Sequence, residues 1–431
     1  MGAASEMIRR TTRGSESESG SLLLSAGNVN RLVDKLSKMR GAALKLGQFM
    51  SIQDSHMLPE QLEGILRRVQ ASAHYMPNWQ MEQVMTTDLG PDWRSNFSSF
   101  DAIPFASASI GQVHRAVLAP HIAPHLPFRD VAVKVQFPNI KSSIHSDLKS
   151  LSYLLYTSSL LPRGLFLDKT LEAMEEELED ECNYEREAQA AKTFAEGLKG
   201  DDRFTVMQVV EELCTKNVLV MERLEGVPII RVLQLPQEKR NQIATDLLSL
   251  CLRELFGLRF MQTDPNWSNF LYNQKTDKIE LIDFGASRPY TKAFMDDWYM
   301  LLSAAIRGDR ESCKEYSLKL KYLTGEESSE MLDAHVQSLV LLGTPFSRST
   351  SQPYSFAPSA RSLTSQIREQ IPFMLKHRLT PPPRETYSLN RKLSGAFLLC
   401  ERLGANVDCR AIWERETAGY RVGGSAIEAE A

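Results

Sequence analysis

The sequence predicts an α+β fold in two lobes, the first built on strands and the second mostly helical, preceded by a helical extension. The main strand-like runs are "SIGQVHRAVL", "DVAVKVQF", "FTVMQVVEEL" and "NVLVMERL", all between residues 109 and 224, and one further hydrophobic strand leads to Asp283 in "LIDFG". After "EGVP" the apolar spacing turns helical, with patterns near 236–258, 291–306, 309–321, 327–342 and 384–403. Ahead of the first strand lie three more helical patterns. Strands and helices segregated in this way make two packed units and not one interleaved α/β sheet. The expected boundaries are a polar, Ser-rich and disordered 1–24, a helical extension over 25–100, a first lobe over 101–225, a second over 226–415 and a flexible tail over 416–431.

The elements follow in order. Over 28–53, Leu32, Leu36, Met39, Ala43, Leu46 and Met50 step by three and four, which is one apolar helical stripe; similar patterns recur near 59–72 and 78–89. The connector "APHIAPHLPFR" between the first two strands holds Pro120, Pro124 and Pro127 and cannot be regular. His121 and His125 would suit a metal only on a helix, which Pro124 excludes, so they read as exposed histidines. One long charged helix is expected over about 168–197. No internal repeat is present.

The chain has 431 residues, 42% hydrophobic and 24% charged, enough for a sizeable core in two or three compact units. A formal charge of −4 gives no electrostatic case for nucleic acid as a partner. Six cysteines occur without a C-x-x-C pair and read as reduced, mostly buried thiols. No apolar run is long enough to span a membrane, because "LLSLCLRELFGLRF" is broken by Arg253, Glu254 and Arg259. Arg9, Arg10 and Arg13 are followed at once by "SESESG", which argues against a cleavable transit peptide, and Glu6 breaks a myristoylation pattern.

Chemistry is concentrated in two motifs. In "FMQTDPNWSNF" Asp264 precedes Asn269 by five positions, the spacing of the catalytic loop of protein kinases, and "LIDFG" follows with Asp283 at the magnesium position. "VAVK" places Lys134 on a strand, where its ammonium could reach nucleotide phosphates, and Glu187 is the chosen acid partner from "LEAMEEELEDECNYEREAQAAKTF". Together these are the positioned charge, metal ligands and base that phosphoryl transfer from ATP with Mg2+ requires. Two features depart from an ordinary protein kinase. The phosphate-covering loop, normally glycine-rich, reads Ala106, Ser107, Ala108, Ser109, and no A-P-E follows D-F-G. Phosphoryl chemistry is indicated; a protein substrate is not.

These departures form a pattern. "KLGQ", "ASAS", "VAVK", "ECNYEREA", "FMQTDPNWSNF" and "LIDFGASR", with "KYLTGEES" and "LKHRLTPPPRETYSLNRKLSGAF", resemble the UbiB family of atypical, protein-kinase-like proteins from about residue 25 to about 413. The resemblance implies a two-lobed protein-kinase-like fold with the extension lying over the active site. Lys134 would contact ATP phosphates and pair with Glu187, Asp264 would hold the catalytic-base position, and Asn269 and Asp283 would bind Mg2+. Met221, Glu222, Arg223 and Leu224 would form the adenine hinge. Lys45, Gly47 and Gln48 would regulate access, with Glu181 as the partner acid of Lys45. Asn183 stands where the family's second acid belongs, and Ser107 replaces an alanine. Read without the resemblance, Lys45 repeats with Arg31 and Lys38 every seven residues, as either a solvated face or one meeting anionic lipid.

By the same resemblance the function is that of an atypical kinase or ATPase supporting coenzyme Q (ubiquinone) biosynthesis, mitochondrial, on the matrix face of the inner membrane. Its partners would be coenzyme Q biosynthesis proteins, lipid quinone precursors and a membrane surface, with a homodimer left open. A conventional protein kinase of that pathway and a nucleotide-binding scaffold without catalysis are the alternatives.

Overall fold

A computed structural model describes residues 75–108, 110–158, 166–264, 266–357 and 362–423. The 1–24 segment, the helical patterns at 28–53 and 59–72, and Lys45, Gly47, Gln48 and Ser109 lie outside the described residues. The chain divides into two compact units. Residues 167–184 and 210–220 belong with the N-terminal part, and 185–209 with everything from 221 onward.

The first unit opens with helix α1 (Asn78–Leu89) and a sheet whose strands are β1 (Phe97–Phe100), β2 (Ala106–Ser107), β3 (Gly111–Leu118) and β4 (Asp130–Gln136). Helices α2 (Ile140–Ser158) and α3 (Leu167–Glu181) follow, and α4 (Tyr184–Gly197) and β5 (Phe204–Val206) cross into the second unit. Strand β6 (Val218–Glu222) completes the first sheet in the order β1-β3-β4-β6, with β2 also on β3. Only Asp130 of β4 is exposed; Val131 to Gln136 are buried without alternation, as expected of a strand covered on both faces. The Pro-rich loop before it is held by Arg129, which donates to the carbonyls of Ile122 and Ala123, both at 2.7 Å. His121 and His125 are exposed there.

Two sequence expectations change in this region. The single helix over 168–197 is two helices, broken at Cys182 and Asn183. Asn183 sits at the N-terminal edge of α4, a position its short polar side chain favours, and the N–H of Tyr184 donates not to its own helix but to the Lys216 carbonyl at 3.1 Å. Glu181 therefore ends α3, whereas Glu187 opens α4. The run 204–213 is a strand only over Phe204–Val206 and closes with a 3-10 turn at Glu211–Leu213.

In the second unit, β7 (Val227–Pro228) leads into α5 (Gln237–Leu252), which passes directly into a π-helical turn, Arg253–Leu258. Then come β8 (Phe260–Gln262), β9 (Phe270–Asn273), β10 (Lys278–Leu281) and β11 (Ser287–Pro289). A four-stranded sheet runs β5-β10-β9-β7, and β8 pairs with β11 in a separate antiparallel ribbon. Helices α6 (Lys292–Arg307), α7 (Arg310–Lys319) and α8 (Ser329–Gly343) follow, then β12 (Tyr354–Ser355), α9 (Leu363–His377), α10 (Arg384–Arg402), β13 (Asn406–Val407) and α11 (Cys409–Thr417). Phe194, Phe284, Trp298, Phe346 and Phe397 are each at most 2% exposed and anchor this core. Among the described residues no helix is long and apolar enough to cross a membrane, and all six cysteines are free.

Candidate active site

In the second unit the β8–β11 ribbon brings two of the motifs side by side: Gln262 faces Ser287 across it, with Asp264 just beyond β8 and Asp283 just before β11. The loop after β8 is built from its own side chains. Asp264 Oδ1 accepts the N–H of Asn266 at 3.2 Å, Asn266 Oδ1 accepts the N–H of Ser268 at 3.1 Å, and Asn269 Nδ2 donates to Asp264 Oδ2 at 3.4 Å. The five-residue spacing thus folds back so that Asn269 meets Asp264. Asn269 is buried and Asp264 half-buried.

Gln262 joins the two acids. Its Oε1 accepts the N–H of Asp264 at 3.2 Å and its Nε2 donates to the carbonyl of Asp283 at 2.8 Å. Gln262 itself is 3% exposed, and both bonds are part-buried. Thr263 is fully buried and donates twice to the Ala286 carbonyl, through its N–H at 3.1 Å and its hydroxyl at 2.7 Å. At these two positions protein kinases carry His-Arg; an amide and a hydroxyl here tie the loop to the Asp-Phe-Gly segment. Sequence reasoning gave Gln262 and Thr263 no part in the site. An amide two residues ahead of Asp264, able to donate and accept at once, was the available signal.

The Asp283 segment is held on its other side by α4. Arg186 donates to the Gly285 carbonyl at 3.0 Å and also to that of Ser287. Phe284 packs against Phe194 with ring centres 4.9 Å apart. Asp283 Oδ1 accepts the N–H of Gly285 at 3.1 Å. A side chain at Gly285 would start 3.3 Å from Glu187 Oε2 and 3.6 Å from Asp283 Oδ1, so Glu187, Asp283 and the glycine converge. Glu187 is 1% exposed.

Beneath the loop lies a residue that sequence reasoning passed over. The π turn presents Glu254 to the interior, fully buried, where Oε2 accepts the N–H of Gln262 at 3.1 Å. Lys392 Nζ lies 3.0 Å from Oε1 and 2.9 Å from Oε2. Burial pushes the Glu254 carboxyl up and the Lys392 ammonium pulls it back. π turns recur at functional sites because the extra residue re-aims a side chain.

The remaining second-unit positions are Met221 to Leu224. Met221 is buried, and the N–H of Glu222 donates to the Gln208 carbonyl at 2.7 Å. Burial raises the Glu222 carboxyl above its usual range. Close behind, Gly226 donates its N–H to Glu280 Oε2 at 2.8 Å, and an added side chain would collide there at 2.6 Å.

In the first unit, Ala106 and Ser107 pair with Val113 and Gln112 of β3, and the N–H of Ala108 reaches the Gly111 carbonyl at 2.9 Å. The loop that carries methyl groups instead of glycine hydrogens is therefore sheet-paired through 107. Lys134 faces Val113 in the β3–β4 register, is 6% exposed, and its ammonium lies 5.1 Å from the centre of the Tyr184 ring. Glu181 is buried at the end of α3.

A model of the ABC1 atypical kinase-like domain matches residues 68–317. The mitochondrial atypical kinase COQ8 of Saccharomyces cerevisiae is 47% identical over 98% of this chain and 82% of its own length. The chain belongs to the ABC1, or UbiB, family of atypical kinases. The mitochondrial atypical kinase COQ8B of Danio rerio is 47% identical over 95% of the chain and 65% of its own length. The Schizosaccharomyces pombe COQ8 is 48% identical over 96% and 66%. The chain thus spans about two thirds of the length of the zebrafish and fission-yeast relatives. The solved complex of Rv3197 with erythromycin from Mycobacterium tuberculosis superposes with a TM-score of 0.59 at 24% identity, covering 95% of this chain and 96% of that one, which shows the shared fold. Membership makes this UbiB protein an atypical kinase, and its likeness to the mitochondrial COQ8 relatives makes it mitochondrial, with a kinase-like role in coenzyme Q biosynthesis.

Proposed function

We propose that this UbiB protein binds Mg-ATP and cleaves its terminal phosphate in support of the membrane-associated coenzyme Q machinery or its lipid quinone precursors. The carrying observation is the Gln262 amide that links the backbone of Asp264 to that of Asp283, with Asn269 already donating to the Asp264 carboxylate. Such a linked set gives phosphoryl transfer the fixed positions it needs.

The donor chemistry fits magnesium. Asn269 and Asp283 offer oxygen ligands, the kind a hard cation takes, and with the Asn269 nitrogen turned to Asp264 its oxygen is the end a metal would use. When bound, the metal ion supplies charge that offsets the phosphate oxygens. Asp264 is assigned to accept or orient the nucleophile's proton, Lys134 to meet the phosphates with Glu187 as its acid partner, and Ala106 to Ser109 to cover them. Met221 to Leu224 are assigned to the adenine, and Lys45, Gly47, Gln48 and Glu181 to regulation of access. Coenzyme Q biosynthesis proteins, quinone precursors and the matrix face of the inner membrane are the proposed surroundings.

The test follows released inorganic phosphate with and without cardiolipin-containing vesicles and a phenolic quinone precursor. Release that rises with either addition supports the reading. Transfer to a test peptide without such release would replace it with a protein kinase, and nucleotide binding without release with a scaffold.

A further inference from the structure

Helix α10 carries "SLNRKL", of which Lys392 alone has been tied to the loop. Ser388, Arg391 and Lys392 are spaced i, i+3 and i+4, hence on one face. Each meets the frame of the catalytic loop at a different point. The Ser388 and Tyr290 hydroxyls are 2.7 Å apart, both buried, just after β11. Arg391 Nη2 donates to the Thr263 carbonyl at 3.3 Å. Lys392 pairs with Glu254, whose Oε2 receives the N–H of Gln262 at 3.1 Å. From Gln262 the bonds run on to Asp264 and Asp283.

A buried ion pair seldom stabilises a fold more than apolar residues of the same volume would. Its use here lies in its second bond: Glu254 is an acceptor for the one backbone N–H that sets Gln262. Arg391 similarly holds the carbonyl of the residue directly before Asp264. In kinases that are switched on by phosphorylation, new arginine–phosphate contacts order the activation segment. Thr263 carries no charge to receive a phosphate, and the segment from Asp283 to Ser287 is already bonded to Arg186, Gln262 and Thr263.

We propose that the Ser388–Arg391–Lys392 face of α10 is a permanent clamp that positions the catalytic loop, with Glu254 as its relay, so that ordering the site needs no phosphorylation of the Asp283–Pro289 segment. These are positioning residues, assigned to hold the loop and not the nucleotide. The catalytic half of the inference rests on the ATP reading above, and the structural half does not.

The experiment compares two double variants. Glu254→Gln with Lys392→Met removes the ion pair but keeps an acceptor for the Gln262 N–H; Glu254→Leu with Lys392→Leu removes the acceptor as well. Urea titration first establishes that both are folded. The clamp predicts parental KM for ATP in both, amide exchange over 262–264 faster than in the parent in both, and a kcat below the parent in both and lowest in the Leu pair, by about tenfold or more, the scale of loss from a misplaced catalytic group. Parental kcat with parental exchange in the Leu pair would overturn it. If the parent protein releases no phosphate, the ATP reading fails while the exchange comparison still decides the clamp. Should the Leu pair not fold, Arg391→Met removes only the Thr263 bond: a lower kcat at unchanged KM with faster 262–264 exchange supports the clamp, and parental kcat with parental exchange overturns it.

Discussion

Replacing Lys392 by Met removes the partner of a fully buried carboxylate, and the structure fixes how large the damage can be. Glu254 would face two options in the folded variant. It can stay ionised in an apolar interior, for which one-sided breakage of a buried pair costs about 3–5 kcal/mol, or it can take up a proton. Protonation at pH 7 of a carboxyl whose unfolded pKa is about 4.3 costs about 3.7 kcal/mol, at 1.36 kcal/mol per pH unit. At pH 5 the same step costs only about 1 kcal/mol. Protonation therefore caps the loss. In the parent burial already raises the Glu254 carboxyl with Lys392 opposing; without Lys392 burial acts unopposed, so the penalty grows as pH climbs above the unfolded value and fades as pH falls toward it. Urea unfolding of Lys392→Met and parent at both pH values should show a difference of up to about 3–4 kcal/mol at pH 7 and up to about 1 at pH 5. A difference below about 1 kcal/mol at pH 7, or one that does not change with pH, would refute the reading of a buried, charged Glu254 held by Lys392.

Further outcomes can be checked in the same way. His335 is buried against the Ser317 hydroxyl at 2.9 Å and its imidazole is lowered to about 4 by burial and the nearby Arg378, with Glu327 opposing. The unfolded chain then binds the proton first, so stability falls as pH drops from about 6.5 toward 4, by about 3 kcal/mol, and His335→Gln should flatten that slope in urea titrations across the range. Gly111→Ala puts a methyl 2.5 Å from the Val135 carbonyl oxygen on β4. Overpacking of this kind costs about 1–3 kcal/mol, visible as a lower Tm. Lys134→Ala should lose most of the thermal stabilisation by Mg-nucleotide that the parent shows, and equal shifts in both would remove Lys134 from the site. Asp283→Ala should lower that stabilisation as well, and unchanged magnesium dependence would remove Asp283 from the metal position.

The motifs were legible because their spacing is local. Asp264 and Asn269 lie on one short loop, and Lys134 on a strand whose continuous apolar run identifies it. What stayed hidden depends on burial, which charge alone does not reveal. Glu254 counted in the sequence as a charge interrupting an apolar run, yet it is fully buried and holds the loop. Arg391 and Lys392 were helical residues of a familiar segment, and only the packing of α10 shows which backbone atoms they reach. Helix α2 escaped notice because serines dilute its stripe of Ile140, Ile144 and Leu148; Ser143, Ser146 and Ser150 instead bond back to carbonyls three and four residues earlier. Helix α9 was obscured by Pro372 in its interior. The break at Asn183 was masked by unbroken helical periodicity on both sides, and it is the Lys216 carbonyl, distant in sequence, that takes the Tyr184 N–H.

The central claim is that Asp264 performs phosphoryl chemistry in a site that binds nucleotide without it. Single-turnover phosphate release from ATP, measured on the parent and on Asp264→Asn at saturating Mg-ATP, addresses it most directly. Asparagine keeps one oxygen for the Asn266 N–H and gives up only the 3.4 Å bond from the Asn269 amide, so the loop should hold and nucleotide binding persist. The account predicts a rate lower by about a hundredfold or more with Mg-nucleotide stabilisation close to that of the parent. Release at the parental rate would contradict it.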